Sequence, residues 1–417
     1  MHFFYDLGIF FLGRLMWLAG LFHPKAKKWV EGRKNWQRQL AQFRQPEDSW
    51  IWMHCASLGE FEQGRNVIEE LKAHSPQTKI LITFYSPSGY EIRKNYALAD
   101  GVMYLPLDTR ANAKTFLDLL KPKLVILVKY ELWLNYIFEV KQRQIPLILI
   151  SARVGKESPF FNRWTASLYK KAFQSFSHIF TQDEQSAKLI KDFSGNDHIS
   201  VVSDTRYDRV SSNREDFTPI PEIEAFKKNR LCLIGGSTWP KGEKMIFHAF
   251  QELQKDHDFV LILAPHEIND HRIAEWEKQF PEISIRFSQI AQLNSQHRIL
   301  WIDNIGMLSR LYHYGDLAYI GGGWGSGLHN ILEAVVFGLP VIFGPQIQKF
   351  PEAGDLIVAG GGFAVSNQDE FTRKVKTLIE DKQLRESISV KNIAFIENKA
   401  GATQKIMDWL TTAGKKI

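Results

Sequence analysis

The sequence predicts an α/β protein built from two doubly wound, Rossmann-like domains in tandem, facing a central cleft and preceded by an N-terminal hydrophobic helix. Three observations carry this. Short, near-continuous apolar runs such as Leu124-Val-Ile-Leu-Val128 recur along the chain, as parallel strands covered on both faces require. These runs alternate with amphipathic stretches of helical period, the pattern of a doubly wound domain. The alternation breaks once near the middle and resumes, and 417 residues exceed the size at which one core usually splits.

Residues 1–22 come first. From Phe3 to Phe22 the chain is dominated by Phe, Leu, Ile, Met and Trp, interrupted by Asp6 and Arg14. A spanning helix needs about 20 apolar residues, and Arg14 near the middle is costly there. No small-residue cleavage site with an acceptable mature start follows, which argues against a removed signal peptide. Three readings stay open: a short single-pass anchor, a helix lying in the membrane interface, and a helix buried in the soluble body. Lys25, Lys27, Lys28, Arg33, Lys34, Arg38 and Arg44 follow directly. Under either membrane reading they place the catalytic body on the cytoplasmic face of the inner membrane, drawn to anionic headgroups.

An N-terminal domain is expected over residues 23–210. Its strands are predicted at Trp50–His54, Lys79–Phe84, Gly101–Leu105, Leu124–Lys129, Pro146–Ile150, His178–Thr181 and Ile199–Val202. Helical patterns cover Gly64–His74, Ala111–Leu120, Trp133–Arg143 and Glu184–Phe193. Residues 211–230, with Ser211-Ser-Asn213, Pro219 and Pro221, read as a linker. A C-terminal domain over 231–400 places strands at Leu231–Ile234, Phe259–Ala264, Ile283–Phe287, Ile299–Trp301, Leu317–Ile320 and Pro340–Phe343. A last helix in 401–417 is expected, by fold analogy, to pack back on the N-terminal domain.

Composition narrows the function. With 44% hydrophobic and 24% charged residues the body is globular. A net charge of +6 without an arginine-rich run gives no sign of nucleic-acid binding. The two cysteines, Cys55 and Cys232, are far apart, offer no metal-ligand spacing and suit a reducing compartment. Beside the first strand end, Cys55 reads as a small apolar residue rather than a nucleophile.

Ligands of open α/β sheets bind beyond the carboxyl ends of the strands, so the strand-end residues are the candidates. Gly321-Gly-Gly-Trp-Gly-Ser-Gly327 and Leu-His329-Asn330-Ile331-Leu332-Glu333 run from a strand into a helix expected near Asn330. Glycines admit a close ligand, helix N–H groups bind phosphate, and Glu333 one turn in could accept ribose hydroxyls. The glycine spacing is not that of a dinucleotide fingerprint. Gly235-Gly-Ser237-Thr238 supplies hydroxyl donors or an ordinary N-cap, and Pro265-His266 ends a third strand. Three polar strand ends on one edge predict a nucleotide-binding C-terminal domain. In the N-terminal domain, His54-Cys-Ala-Ser57-Leu-Gly59-Glu60 places Glu60 at the opening of a helix, where a carboxylate serves either as a base or merely as dipole compensation. Glu131 repeats the arrangement after a later strand, and Arg206 closes the domain.

Together, Ser57-Leu-Gly-Glu60, Glu131-Leu-Trp133, Ser237-Thr238 and His329-Asn330-Ile-Leu-Glu333 make the chain resemble, over essentially its whole length, the 3-deoxy-D-manno-octulosonic acid (Kdo) transferases that modify lipid A precursor. The resemblance implies a GT-B fold and a metal-independent inverting transfer from CMP-Kdo to a tetraacylated disaccharide lipid, with no cofactor. It implies Glu60 as general base and Glu131 and Arg206 as transition-state stabilisers. It also implies CMP contacts from Ser237, Thr238, Pro265, His266, Ile305-Gly306-Met307 and Asn330, Ile331, Leu332 and Glu333. The chain departs from the family pattern at Arg206 (often Lys), His266 (often Arg), Met307 (often acidic), Leu134-Asn135 (Pro-Asn) and Lys129 (acidic). No Asp-x-Asp pair sits at a strand end, so no divalent cation is expected. The alternatives are a UDP-sugar transferase, a nucleotide-sugar 2-epimerase or a non-catalytic nucleotide-binding membrane protein.

Overall fold

A computed structural model describes residues 2–43, 49–325 and 327–414; Arg44 of the basic cluster and Ser326 of the glycine-rich turn lie outside the described residues. The chain divides into two compact units, residues 1–208 with 400–417, and residues 209–399.

In the first unit the strands are β1 (Trp50–Cys55), β2 (Lys79–Phe84), β3 (Gly101–Tyr104), β4 (Pro122–Val128), β5 (Leu147–Ala152), β6 (His178–Thr181) and β7 (Ile199–Val201). They form one sheet in the order β3-β2-β1-β4-β5-β6-β7, parallel throughout. Every residue of β1 is buried, because helices cover both faces. Trp52, Phe116 and Tyr136 pack on one face and Met53, Phe61 and Ile406 on the other. The final helix, Ala402–Gly414, belongs to this unit, and its Gly401 and Thr403 amides donate to the Asp208 carboxylate.

The second unit repeats the plan. Its strands are β8 (Leu231–Thr238), β9 (Phe259–Pro265), β10 (Ser284–Arg286), β11 (Ile299–Trp301), β12 (Leu317–Ile320), β13 (Val341–Phe343) and β14 (Gly362–Ala364), in the order β10-β11-β9-β8-β12-β13-β14. β14 was not among the expected strands: three residues within a glycine-rich stretch carry no periodic signal. The expected linker is also mostly helical, with helices Thr205–Glu215 and Pro221–Lys227. Pro221, read as a breaker, instead occupies the first turn of the second, where its missing N–H costs nothing.

The N-terminal stretch is a helix, His2–Ala19, but no helix among the described residues is long and apolar enough to cross a membrane, so the single-pass reading finds no support. Nor is it buried. One face, carrying Tyr5, Asp6 and Ile9, packs on the first unit. Phe3, Phe4, Phe11 and Leu15 on the other sides are 60–72% exposed. Lys25, Lys27, Lys34 and Arg38 are exposed as expected. Arg33 is not one of this exposed set. Its guanidinium lies 3.8 Å from the Trp29 ring centroid and donates to the carbonyls of Trp29, Tyr85 and Leu105, and burial pushes its pKa down to about 10.

Candidate functional site

Each sheet reverses its winding between two neighbouring strands, β1 and β4 in the first unit, β8 and β12 in the second. The connections leaving such a pair run in opposite directions and open a crevice at the strand ends. Both candidate half-sites lie there.

At the β1 end, Ser57 takes the N-cap position of helix Leu58–His74 but its hydroxyl makes no cap bond. Glu60, third in the helix, folds back instead, and its carboxylate accepts the Ala56 N–H at 2.5 Å. Glu60 is 5% exposed. Burial, then the nearby Glu131 charge, pushes its carboxyl up to about 8, against the pull of the Ala56 N–H and Lys129. Glu131, after β4, is raised to about 7 by burial, with Lys129 pulling it down. Burial thus raises both carboxyls on these adjacent strand ends toward neutrality, with the Glu131 charge adding to the rise at Glu60. Dipole compensation and capping account for the placement of Glu60; they do not account for a carboxyl held at the edge of ionisation.

A buried polar network stands behind this pair. The Trp133 indole N–H donates to His54 Nε2 at 2.9 Å, so Nε2 is the acceptor and the proton sits on Nδ1, which faces Thr83 Oγ1 at 2.9 Å. Burial lowers the His54 pKa to about 3, so the ring is neutral. Trp133 also stacks on Tyr85, 4.6 Å between centroids. Sequence reasoning quoted His54 and Trp133 without a role for either; a histidine closing an otherwise apolar strand was the available signal. Arg206 is held by the buried Asp204 at 2.9 Å, which in turn accepts from Gln63.

The second unit brings the three expected strand ends together and corrects several roles. Ser237 is half-buried with φ at +49°. Thr238 is fully buried, and its hydroxyl donates inward to Glu243 at 3.0 Å; it is a structural link, not a phosphate donor. Glu243, itself fully buried, pairs with Arg272 at 3.1 Å, and Arg272 reaches the Glu267 carbonyl. This chain ties the turn after β8 to the loop after β9. His266 is exposed and stacks on Trp239, 4.5 Å between centroids. His329, which the sequence reading left without a role, lies 4.4 Å from His266, with its pKa lowered to about 4 by burial and then by His266.

Gly321 permits a close backbone approach in this half-site: a Cβ there would lie 1.8 Å from the Ser237 carbonyl oxygen. The expected helix at Asn330 is shorter and later, one turn over Leu332–Val335, too short to lend much dipole to a phosphate. Ile331 and Leu332 point into the core, at 1% and 0% exposure, leaving only their backbones for a ligand. Asn330 and Glu333 remain half-buried, joined by a 3.1 Å hydrogen bond. Pro265 ends β9, half-buried. Ile305 and Gly306 form an exposed turn, with Gly306 at φ +99°, and Met307 opens the next helix.

The first unit thus offers a proton acceptor, and the second a polar, glycine-lined crevice. A sequence profile described as 3-deoxy-D-manno-octulosonic-acid transferase (kdotransferase) matches residues 34–209, the part that carries Glu60 and Glu131. The 3-deoxy-D-manno-octulosonic acid transferase of Haemophilus influenzae is 28% identical over 88% of this chain and 87% of its own length. That of Aquifex aeolicus is 28% identical over 80% and 87%. Over most of its length the chain is similar to Kdo transferases.

The profile match and these relatives support a glycosyltransferase of the GT-B type. The chain also matches a bifunctional glycosyltransferase/methyltransferase of Fusobacterium nucleatum at 27% identity, spanning 56% of that protein's length. Among solved structures, a UDP-GlcNAc 2-epimerase from Neisseria meningitidis superposes with a TM-score of 0.62 over 87% of this chain and all of that one, at 18% identity. That likeness shows the fold alone.

Proposed function

We propose that this protein is a Kdo transferase that moves Kdo from CMP-Kdo to a hydroxyl of lipid A precursor (lipid IVA), with inversion, without a metal ion, in lipopolysaccharide biosynthesis. The observation that carries the reading is the Glu60–Glu131 pair, two buried carboxyls on adjacent strand ends with pKa values pushed up to about 8 and about 7. A general base works best with a pKa near the working pH. In the proposed step the acceptor oxygen forms a bond to the anomeric carbon of Kdo while the bond to the CMP phosphate breaks. The acceptor proton passes to Glu60, and CMP leaves with the electron pair.

In this reading Glu131, about half ionised at pH 7, favours the developing charge separation in its ionised form. Arg206, held by Asp204, would place its guanidinium charge against the Kdo carboxylate or the phosphate. In the second unit Ser237, His266, Gly306 and the backbone at Asn330–Leu332 would receive CMP, with Glu333 on the ribose. The inward-facing Thr238 hydroxyl is excluded from that set.

The acceptor is a lipid, and the N-terminal helix supports a membrane seat. Its outward Phe3, Phe4, Phe11 and Leu15 would lie in the interface of the cytoplasmic leaflet, with Lys25, Lys27, Lys34 and Arg38 on headgroups. A groove of about 380 Å³, lined by Phe10, Arg14, Trp17, Trp29 and Lys34 among others, adjoins it. The test is transfer assayed with CMP-Kdo generated in situ and dispersed lipid A precursor, with and without EDTA. Product formed equally in both supports the reading; no product, or loss of it with EDTA, overturns the donor–acceptor pair or the metal-free step respectively.

A further inference from the structure

We propose that the N-terminal helix is a working part of the acceptor half-site, because Tyr5 and Asp108 together supply the N-terminal cap of the helix that begins just after Glu131. This rests on the reading of Glu131 as a functional carboxyl and goes beyond any role of the helix as a membrane seat.

The helix Leu134–Gln142 starts three residues after Glu131, and its N-cap residue is Trp133, which has no oxygen to cap with and makes no side-chain cap bond. The leading N–H groups of a helix have no partner within it. Here each of the first three finds one from elsewhere. The Leu134 N–H donates to the Tyr5 hydroxyl at 3.3 Å. The Asn135 N–H donates to Asp108 Oδ2 at 3.2 Å and the Tyr136 N–H to Asp108 Oδ1 at 3.1 Å. Tyr5 closes the arrangement by donating its own proton to Asp108 Oδ2 at 2.5 Å. The cap is therefore assembled from two groups 103 residues apart.

Neighbouring contacts pin the same turn. Asn135 Nδ2 donates to Asp6 Oδ1 at 3.0 Å and to the Asp108 carbonyl, and His2 Nε2 lies 2.9 Å from Asn135 Oδ1. Asp6 pairs with Arg110 at 2.8 Å. Asp108 and Asn135 are 1% and 4% exposed, so water cannot replace a lost partner freely, and an unsatisfied buried group there is expensive. Trp133, at the cap position, reaches across to His54 at the end of β1. The position of this cap thus sets both Trp133 and, two residues earlier, Glu131. Tyr5 and Asp108 are positioning residues; neither touches substrate.

The decisive variant is Tyr5→Phe in the full-length protein, which keeps the ring and removes the one oxygen. Two readouts separate positioning from mere stability. Amide hydrogen exchange should accelerate by tenfold or more at Leu134–Tyr136 and in the 131–133 segment, while the helices of the second unit keep wild-type rates. In detergent-dispersed acceptor, kcat should fall about tenfold with the KM for CMP-Kdo unchanged, and the acid limb of the pH–rate profile should move, because the Glu131–Glu60 pair is displaced. Asp108→Asn, which keeps one acceptor oxygen, should give the same pattern more strongly. Wild-type exchange at 131–136 in Tyr5→Phe overturns the proposal, as does a wild-type kcat and pH profile. The exchange measurement needs no substrate, so it stands even if wild-type protein fails to use CMP-Kdo, an outcome that would sink the donor assignment instead.

Discussion

Glu60→Gln is the sharpest perturbation of the proposed chemistry. Glutamine retains an oxygen for the Ala56 N–H that the carboxylate accepts at 2.5 Å, so the helix start survives while the base is lost. Removing a general base costs about 10²–10⁴-fold in kcat. The pH dependence of the wild type follows from the same residue. With a pKa of about 8, about one Glu60 in ten is ionised at pH 7 and about nine in ten at pH 9. Hence kcat should rise about tenfold between those values and then level off.

Stability should move the opposite way. The folded-state pKa lies above the ordinary value of 4.5, so the folded protein holds a proton that the unfolded chain releases. Stability is then greatest below about pH 4.5 as far as this group is concerned, and is lost as pH rises toward 8 and beyond. Glu60→Gln should remove that loss and raise stability at pH 8 by a few kcal/mol. The assays are initial-rate transfer from pH 6 to 9 and thermal unfolding over the same range. A flat wild-type profile, or a Gln variant keeping more than a tenth of the activity, would refute the assignment.

Three further outcomes follow from the second unit. Gly321→Ala places a Cβ 1.8 Å from the Ser237 carbonyl oxygen; the backbone must shift, and the melting temperature and CMP binding should both drop sharply. Glu243→Ala leaves Arg272 without its 3.1 Å partner and Thr238 without its acceptor. It should destabilise by about 3–5 kcal/mol, read by denaturant unfolding, with CMP affinity weakened as the two loops separate. Glu333→Ala should weaken CMP binding about tenfold in calorimetry while leaving the melting temperature of the free protein within a few degrees; unchanged affinity would remove the ribose role.

Much of the architecture was legible because parallel strands announce themselves by composition. His178–Thr181, Ile299–Trp301 and Leu317–Ile320 match the observed strands residue for residue, since each is a short apolar run bounded by polar residues. Elements without that contrast were missed. β14 is three residues long, and helix Thr205–Glu215 is too polar to show an apolar stripe. Glu60 and Glu131 were each visible as acidic residues after strands, yet nothing local said that β1 and β4 are neighbours. The sheet order β2-β1-β4 is a property of the whole chain.

Side-chain direction was the other gap. Ser237 and Thr238 look alike in sequence, but the left-handed turn at Ser237 leaves Thr238 facing inward, onto Glu243. The N-terminal helix shows both limits at once. Its apolar composition was plain, and so was Arg14 as an obstacle to spanning. That one of its faces would complete the cap of a helix more than a hundred residues away depends on a contact that local pattern cannot encode. Sequence alone determined the repeated strand–helix plan, the resemblance to Kdo transferases and the carboxylates worth testing, because these follow from local composition and motif. Which carboxyls are paired, which hydroxyls face a ligand and what the first helix holds in place were decided by tertiary packing, where burial and long-range hydrogen bonds set both geometry and charge.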